Sequence, residues 1–176
     1  MNSSTHARSG RTSALTLFAA SLVFGQASLA DETKRFQAVL HDAQVYGAED
    51  IAAGRYGIGI ERLSARTEKQ PHAKRVPALI DLCAAYTMVG ELDNAEKACD
   101  AAVDSGWYSG HAYNNRGTYH IATGNYEAAV SDFQAAVDGR GADREARANL
   151  EFAQERLVAA QQRTDSNQVV AQNTSE

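Results

Sequence analysis

Apolar residues recur three and four positions apart along two neighbouring stretches in the middle of the chain, which is the spacing of one helix face. The first stretch ends at Gly90, and its apolar members are Leu79, Leu82, Cys83 and Tyr86. Pro77 is expected in the first turn of this helix, where proline is tolerated. The second stretch runs from Leu92 to Val103, and its small residues are Ala95, Ala98, Cys99 and Ala102. A glycine between two such segments indicates a turn, so the pattern predicts two helices joined by a short connection.

The same pattern returns 34 residues later. Gly124 stands one period after Gly90, and Ala129 one period after Ala95. The second helix of this later unit is predicted to place four residues inward: Ala129, Phe133, Ala136 and Val137. A fixed period of this size indicates stacked helix pairs that share one core. We therefore predict an all-α fold with repeats over 76–109 and 110–143.

A weaker repeat precedes these two, over about 40–73. The segment Gly54-Arg55-Tyr56 has the turn pattern of Gly124-Asn125-Tyr126. The first helix of this repeat would run over Thr33–Ala53, and a linker over Thr67–Lys74 would follow the second helix. The chain is thus predicted to contain three helix pairs.

The last part of the chain differs from the repeats. Residues 143–162 are predicted to form a final helix that is apolar on one side and charged on the other. Arrays of repeats need a terminal element with such a polar outer face. Residues 163–176 are polar and show no periodicity, so this tail is predicted to be disordered.

These segments resemble the tetratricopeptide repeat family over about residues 40–160. The most specific part of the resemblance lies in Tyr113–Gly117 and Gly124–Ala129. Small residues stand where the paired helices of that family approach most closely: Gly59, Cys83, Ala95, Ala102, Gly117, Ala129 and Ala136. The sequence also departs from the family pattern, because Trp107 and Gly141 replace the proline that usually ends a repeat. Arg116 stands where an apolar residue is usual.

The resemblance implies a tetratricopeptide-type α-solenoid of three helix-turn-helix repeats with a C-terminal capping helix. Members of the family are mostly protein-binding scaffolds whose first helices line a concave groove. The resemblance therefore implies a non-catalytic module that binds a protein or peptide in this groove, as an adaptor or assembly factor. The alternative is a structural component that assembles with copies of itself through its repeat edges.

Three residues lie one period apart on the predicted first helices: Asp81, Asn115 and Asn149. The resemblance implies that an asparagine at this position holds the backbone of a ligand, because an amide side chain both donates and accepts hydrogen bonds. Asn114 and Thr118 would share this surface. We predict partner contact through these five residues, and the alternative is that Asn115 and Asn149 simply face water.

The second repeat contains both cysteines and the single tryptophan of the chain. Cys83 and Cys99 are predicted to point into the same interface between two helices. They form either a disulfide, which an exported protein permits, or two buried free thiols. Trp107 and Tyr108 follow the second helix and are predicted to pack between repeats two and three, with contact to a ligand as the alternative.

The first thirty residues have the pattern of a secretory signal peptide. Arg8 and Arg11 precede an apolar run over 14–24, and Ser28-Leu29-Ala30 is a small-residue cleavage site. The mature chain is predicted to begin near Asp31 and to reside in a Gram-negative periplasm, with secretion as the other possibility.

Charge and motif content then limit the partners and the chemistry. Residues 1–30 hold two of the 17 basic residues and none of the 22 acidic ones, so the remaining chain has a formal charge of −7. Nucleic acid is a poor partner for such a chain, and we expect no membrane insertion after the signal is removed. The histidines lack metal-ligand spacing, and we find no nucleophile motif. We therefore predict no metal, no cofactor and no enzymatic activity.

Overall fold

The computed structural model describes residues 40, 47–140 and 143–173. Within these residues the chain forms helices and no strand, so the all-α prediction is confirmed. The helices are α1 (Ala48–Ala52), α2 (Tyr56–Lys69), α3 (His72–Val89), α4 (Leu92–Asp104), α5 (Ser109–Ala122), α6 (Tyr126–Asp138) and α7 (Asp143–Asn173). The predicted signal peptide over 1–30 lies outside the described residues.

Consecutive helices pack against each other as three hairpins, α1–α2, α3–α4 and α5–α6. The first helices of the hairpins also touch in order, so that α1, α3, α5 and α7 form a continuous row. Within the described part of the chain, α2, α4 and α6 do not contact one another. As a result α5 is enclosed by four helices, namely α3, α4, α6 and α7.

The three hairpins turn in the same way. Gly54, Gly90 and Gly124 follow the first helices with left-handed φ angles of 73°, 79° and 76°. After each glycine, the next backbone N–H donates to a carbonyl five residues earlier: Arg55 to Asp50, Glu91 to Tyr86 and Asn125 to His120. Glycine is favoured here because it has no Cβ to oppose a left-handed backbone. The predicted turns at Gly54, Gly90 and Gly124 are therefore confirmed.

Each hairpin also places a matched pair of residues face to face, 16 positions apart in sequence, although Gly47 of the first pair directly precedes α1. In the first hairpin, a Cβ added to Gly47 would lie 3.1 Å from Cγ of Leu63. In the third, a Cβ on Gly117 would lie 2.7–2.9 Å from the ring of Phe133. In the second hairpin the pair is Cys83 and Cys99. We call these residues the central pairs, and they show that the three hairpins share one internal register.

Two helix boundaries near the first repeat differ from the prediction. The predicted helix over 33–53 is interrupted at Gly47, which has a left-handed φ of 106° and directly precedes α1, and its residues 33–39 and 41–46 lie outside the described residues. The linker predicted over 67–74 is also wrong in extent, since α2 continues to Lys69 and α3 begins at His72. Pro77 consequently lies inside α3 rather than in its first turn.

Helix α7 extends well beyond the predicted end at residue 162. It continues to Asn173, so the prediction of a disordered tail is wrong for residues 163–173, and 174–176 lie outside the described residues. Every residue from 161 to 173 is exposed. Hydrophobic periodicity reports a buried face, and a helix without one leaves no such pattern in the sequence. No helix in the described ranges is long and apolar enough to cross a membrane.

Candidate functional site

The five residues predicted to contact a partner are buried. Asp81, Asn114 and Asn115 have no exposed surface, Thr118 is 1% exposed and Asn149 is 4% exposed. The prediction that they line an open surface is therefore wrong. The physical reason is enclosure by neighbouring helices: α5 and α3, which carry four of the five residues, each contact four other helices, and Asn149 on α7 faces α5.

Three of these residues form a continuous chain of amide hydrogen bonds, which we call the asparagine ladder. Asn149 Nδ2 donates to Asn114 Oδ1 at 2.9 Å, and Asn114 Nδ2 donates to Asn115 Oδ1 at 3.3 Å. Asn115 Nδ2 then donates to the Ile80 carbonyl at 3.0 Å. The ladder thus connects α7 to α5 and α5 to α3 across the row of first helices.

The ladder explains the spacing seen in the sequence. Its two contacts between helices join residues 35 positions apart, one more than the repeat period. Asparagines one period apart therefore meet the next helix instead of a shared ligand. Thr118 adds to this interior, because its hydroxyl donates to the Asn114 carbonyl at 3.0 Å. Buried amides need such partners, so the arrangement suits a structural role in setting repeat register.

Arg116 forms a second polar system on the other side of α5. Its Nε and Nη2 donate to the two carboxylate oxygens of Asp132 at 2.8 and 2.9 Å. Its Nη1 donates to Asp100 at 3.1 Å. Arg116 thus links α4 to α6, which do not touch directly. The paired Asp132 raises the pKa of the guanidinium above its usual value.

His120 belongs to the same group of charges, which we call the Arg116 cluster. Its Nε2 lies 3.5 Å from Asp132 Oδ2. Burial lowers the pKa of His120 below 6.5, and the neighbouring Arg116 acts in the same direction, whereas Asp132, Asp100 and Glu96 oppose them. Sequence reasoning noted Arg116 only as a departure from the family pattern. The signal it missed is that Asp100 and Asp132 both lie 16 positions from Arg116.

The loop between α4 and α5 exposes two aromatic side chains. Trp107 is 59% exposed and Tyr108 is 42% exposed, so the prediction that they pack between repeats is wrong. Ser105 Oγ donates to the Ala102 carbonyl and accepts the Trp107 N–H, which holds the loop in place. Tyr108 is the one non-glycine residue in the described ranges with a positive φ, 53°. We call residues 105–108 the aromatic loop.

The two cysteines form a disulfide, so the alternative of two free thiols is excluded. The Cα atoms of Cys83 and Cys99 lie 4.7 Å apart. Cys83 is 1% exposed and Cys99 has no exposed surface. The bond therefore joins α3 to α4 inside the core of the hairpin.

The described residues contain no group of three histidine, cysteine or acidic side chains placed to hold a metal ion. The features that remain as candidates for function are the Arg116 cluster, the aromatic loop and the disulfide. No protein-family model matches this chain, and a search of curated proteins found no match.

Proposed function

We propose that this chain is a tetratricopeptide-type α-solenoid of the cell envelope that binds a protein or peptide without catalysing a reaction. The solenoid is supported by three hairpins that have the same glycine turn and the same spacing of 16 positions in their central pairs. It is also supported by the continuous row of first helices. The N-terminal pattern over 1–30 supports export to a periplasm. The Cys83–Cys99 bond fits that location, because disulfides persist in oxidising compartments.

The observation that carries the binding role is the aromatic loop. Tryptophan and tyrosine are enriched among the residues that contribute most to protein–protein affinity. Trp107 is the largest side chain of this protein, yet it is mostly exposed. A left-handed backbone at a residue with a Cβ, as at Tyr108, costs about 1–2 kcal/mol and tends to occur at functional positions. We therefore assign the contact surface to the aromatic loop, and a role as adaptor or assembly factor to the protein.

The test is capture of a partner from an envelope extract with the wild-type protein and with Trp107→Ala. The variant should lose most of the captured partner, with affinity reduced by about 10-fold or more, while its thermal unfolding stays unchanged. Ser131→Ala is the matched control, because Ser131 is exposed on α6, away from the loop. Equal capture by Trp107→Ala and wild type would exclude the loop as the contact surface.

A second candidate function, self-assembly, is favoured by α7. Val158 and Val169 on this helix are 52% and 56% exposed, and Val169 lies on the segment that extends past the packed part of the fold. Copies that pair through this helix would bury these side chains. Sedimentation of the wild type should then show a mass that rises with protein concentration. The double variant Val158→Gln/Val169→Gln should sediment as a monomer. A monomer at all concentrations would exclude this function.

A further inference from the structure

In the middle hairpin a covalent bond joins the two residues of the central pair. In the other two hairpins the residues of the central pair only pack against each other. Gly47 with Leu63 and Gly117 with Phe133 each set a large side chain against a glycine. Cys83 and Cys99 occupy the same two positions in the second hairpin, and their side chains are joined. The cohesion of this hairpin alone therefore depends on the oxidation state of the protein.

The disulfide lies next to the two acceptor groups through which the middle hairpin contacts α5. Ile80, whose carbonyl accepts from Asn115, is one helical turn before Cys83 on α3. Asp100, which pairs with Arg116, directly follows Cys99 on α4. A bond between the two helices fixes the distance between these two acceptors. Asn115 and Arg116 are themselves adjacent on α5, so both contacts require the same spacing of α3 and α4.

We propose that oxidation of Cys83 and Cys99 is a maturation step that fixes the α3–α4 hairpin and thereby docks α5 onto it. In this step each thiol loses its proton and the pair loses two electrons, which forms the sulfur–sulfur bond. The electrons pass to the disulfide of a thiol–disulfide oxidant, which leaves as a dithiol. Because both sulfurs are buried in the folded hairpin, the oxidant reacts before the hairpin closes or while it is open.

The inference predicts that reduction acts beyond the hairpin that contains the cysteines. The purified chain is compared in its oxidised form and after reduction by a phosphine in denaturant followed by refolding with the phosphine present, with thermal unfolding and amide hydrogen exchange as the measurements. The reduced form should unfold at a temperature lower by about 10 °C, from the loss of a short cross-linked loop. Amides of α5 should exchange faster as well. Unchanged exchange along α5 after reduction would overturn the docking part of the inference.

The third hairpin provides a matched variant. The variant Cys83→Gly/Cys99→Phe places the glycine and phenylalanine of the third hairpin at the central positions of the second. The unfolding temperature of this variant should be the same with and without phosphine. Cys83→Ala/Cys99→Ala has neither the bond nor the ring, and it should behave as the reduced wild type under both conditions. If this alanine variant keeps the slow α5 exchange of the oxidised protein, the inference is wrong, whether or not the first variant folds.

Discussion

In the α3–α4 hairpin, the two central positions hold Cys83 and Cys99, joined by a disulfide. In the α5–α6 hairpin, the residues 34 positions later are Gly117 and Phe133, which meet as a ring lying over a glycine. The two pairs occupy equivalent positions in their hairpins, but different interactions hold the helices together. The bond holds the two helices together and limits the conformational freedom of the chain when they separate, whereas the ring stabilises the folded state through apolar burial. Reductant should therefore affect one hairpin directly, and loss of side-chain volume the other.

The interface between these two hairpins also has two unlike halves. On one side of α5 the asparagine ladder is neutral and buried. On the other side the Arg116 cluster is charged: it reaches the α3–α4 hairpin through Asp100 and, within its own hairpin, includes Asp132 and a histidine. Amide hydrogen bonds do not titrate near neutral pH, so only the Arg116 cluster should respond when the pH is changed.

The largest effect should follow from removing the ring of the third hairpin. Phe133 has no exposed surface, and no covalent bond holds α5 to α6. We expect Phe133→Ala to lower the free energy of unfolding by about 3–5 kcal/mol, since it leaves a cavity in the core. Chemical denaturation measures this loss, with Ser131→Ala on the exposed side of α6 as the control. A loss below about 1 kcal/mol would mean that Phe133 does not hold this hairpin together.

Asn115→Ala tests the neutral half of the interface. The change removes the donor to the Ile80 carbonyl and the acceptor for Asn114, both of them buried. We expect a loss of about 1–3 kcal/mol in the free energy of unfolding, because buried polar groups lose their partners. Partner capture by the folded variant should match wild type. The opposite result, weaker capture with unchanged stability, would restore the original expectation that Asn115 contacts a partner.

Gly117→Ala tests how closely the two helices of the third hairpin must approach. The added Cβ would lie 2.7–2.9 Å from the Phe133 ring, so the ring must shift. We expect the free energy of unfolding to fall by about 1–2 kcal/mol, because overpacking outweighs the better helix propensity of alanine. Gly57→Ala is the matched control, because a Cβ at this position in α2 meets nothing within 4 Å. That control should stabilise the protein slightly, and equal effects from both changes would contradict the close packing at Gly117.

The features that could be predicted from the sequence are those that depend on local pattern. The glycine turns follow from a conformation that glycine adopts most easily, and the buried alanines of α4 and α6 follow from helical spacing. The burial of Asn115 could not be predicted, because the same spacing suits a groove or an interior. Which one forms depends on how closely successive first helices approach. The role of Arg116 was missed for a similar reason, since its partners belong to two other helices.

The smallest effect should be a pH dependence that distinguishes the charged half of the interface from the neutral one. The pKa of His120 in the folded protein is lowered below 6.5, mainly by burial. As the pH falls below about 6.5, the unfolded chain takes up a proton before the folded one does, so the free energy of unfolding should decrease. The decrease should level off once the pH is below the folded pKa.

The measurement that isolates His120 is chemical denaturation between pH 5 and 8 of wild type and His120→Gln. His111, whose pKa burial also lowers, contributes with the same sign in both proteins, so the difference between the two curves belongs to His120. That difference should change with pH below about 6.5 and be constant above it. Asn115→Ala should run parallel to wild type over the whole range, because the ladder carries no titrating group. A His120→Gln curve parallel to wild type would show that the charged half does not respond to pH, and the contrast between the two halves would then be one of geometry alone.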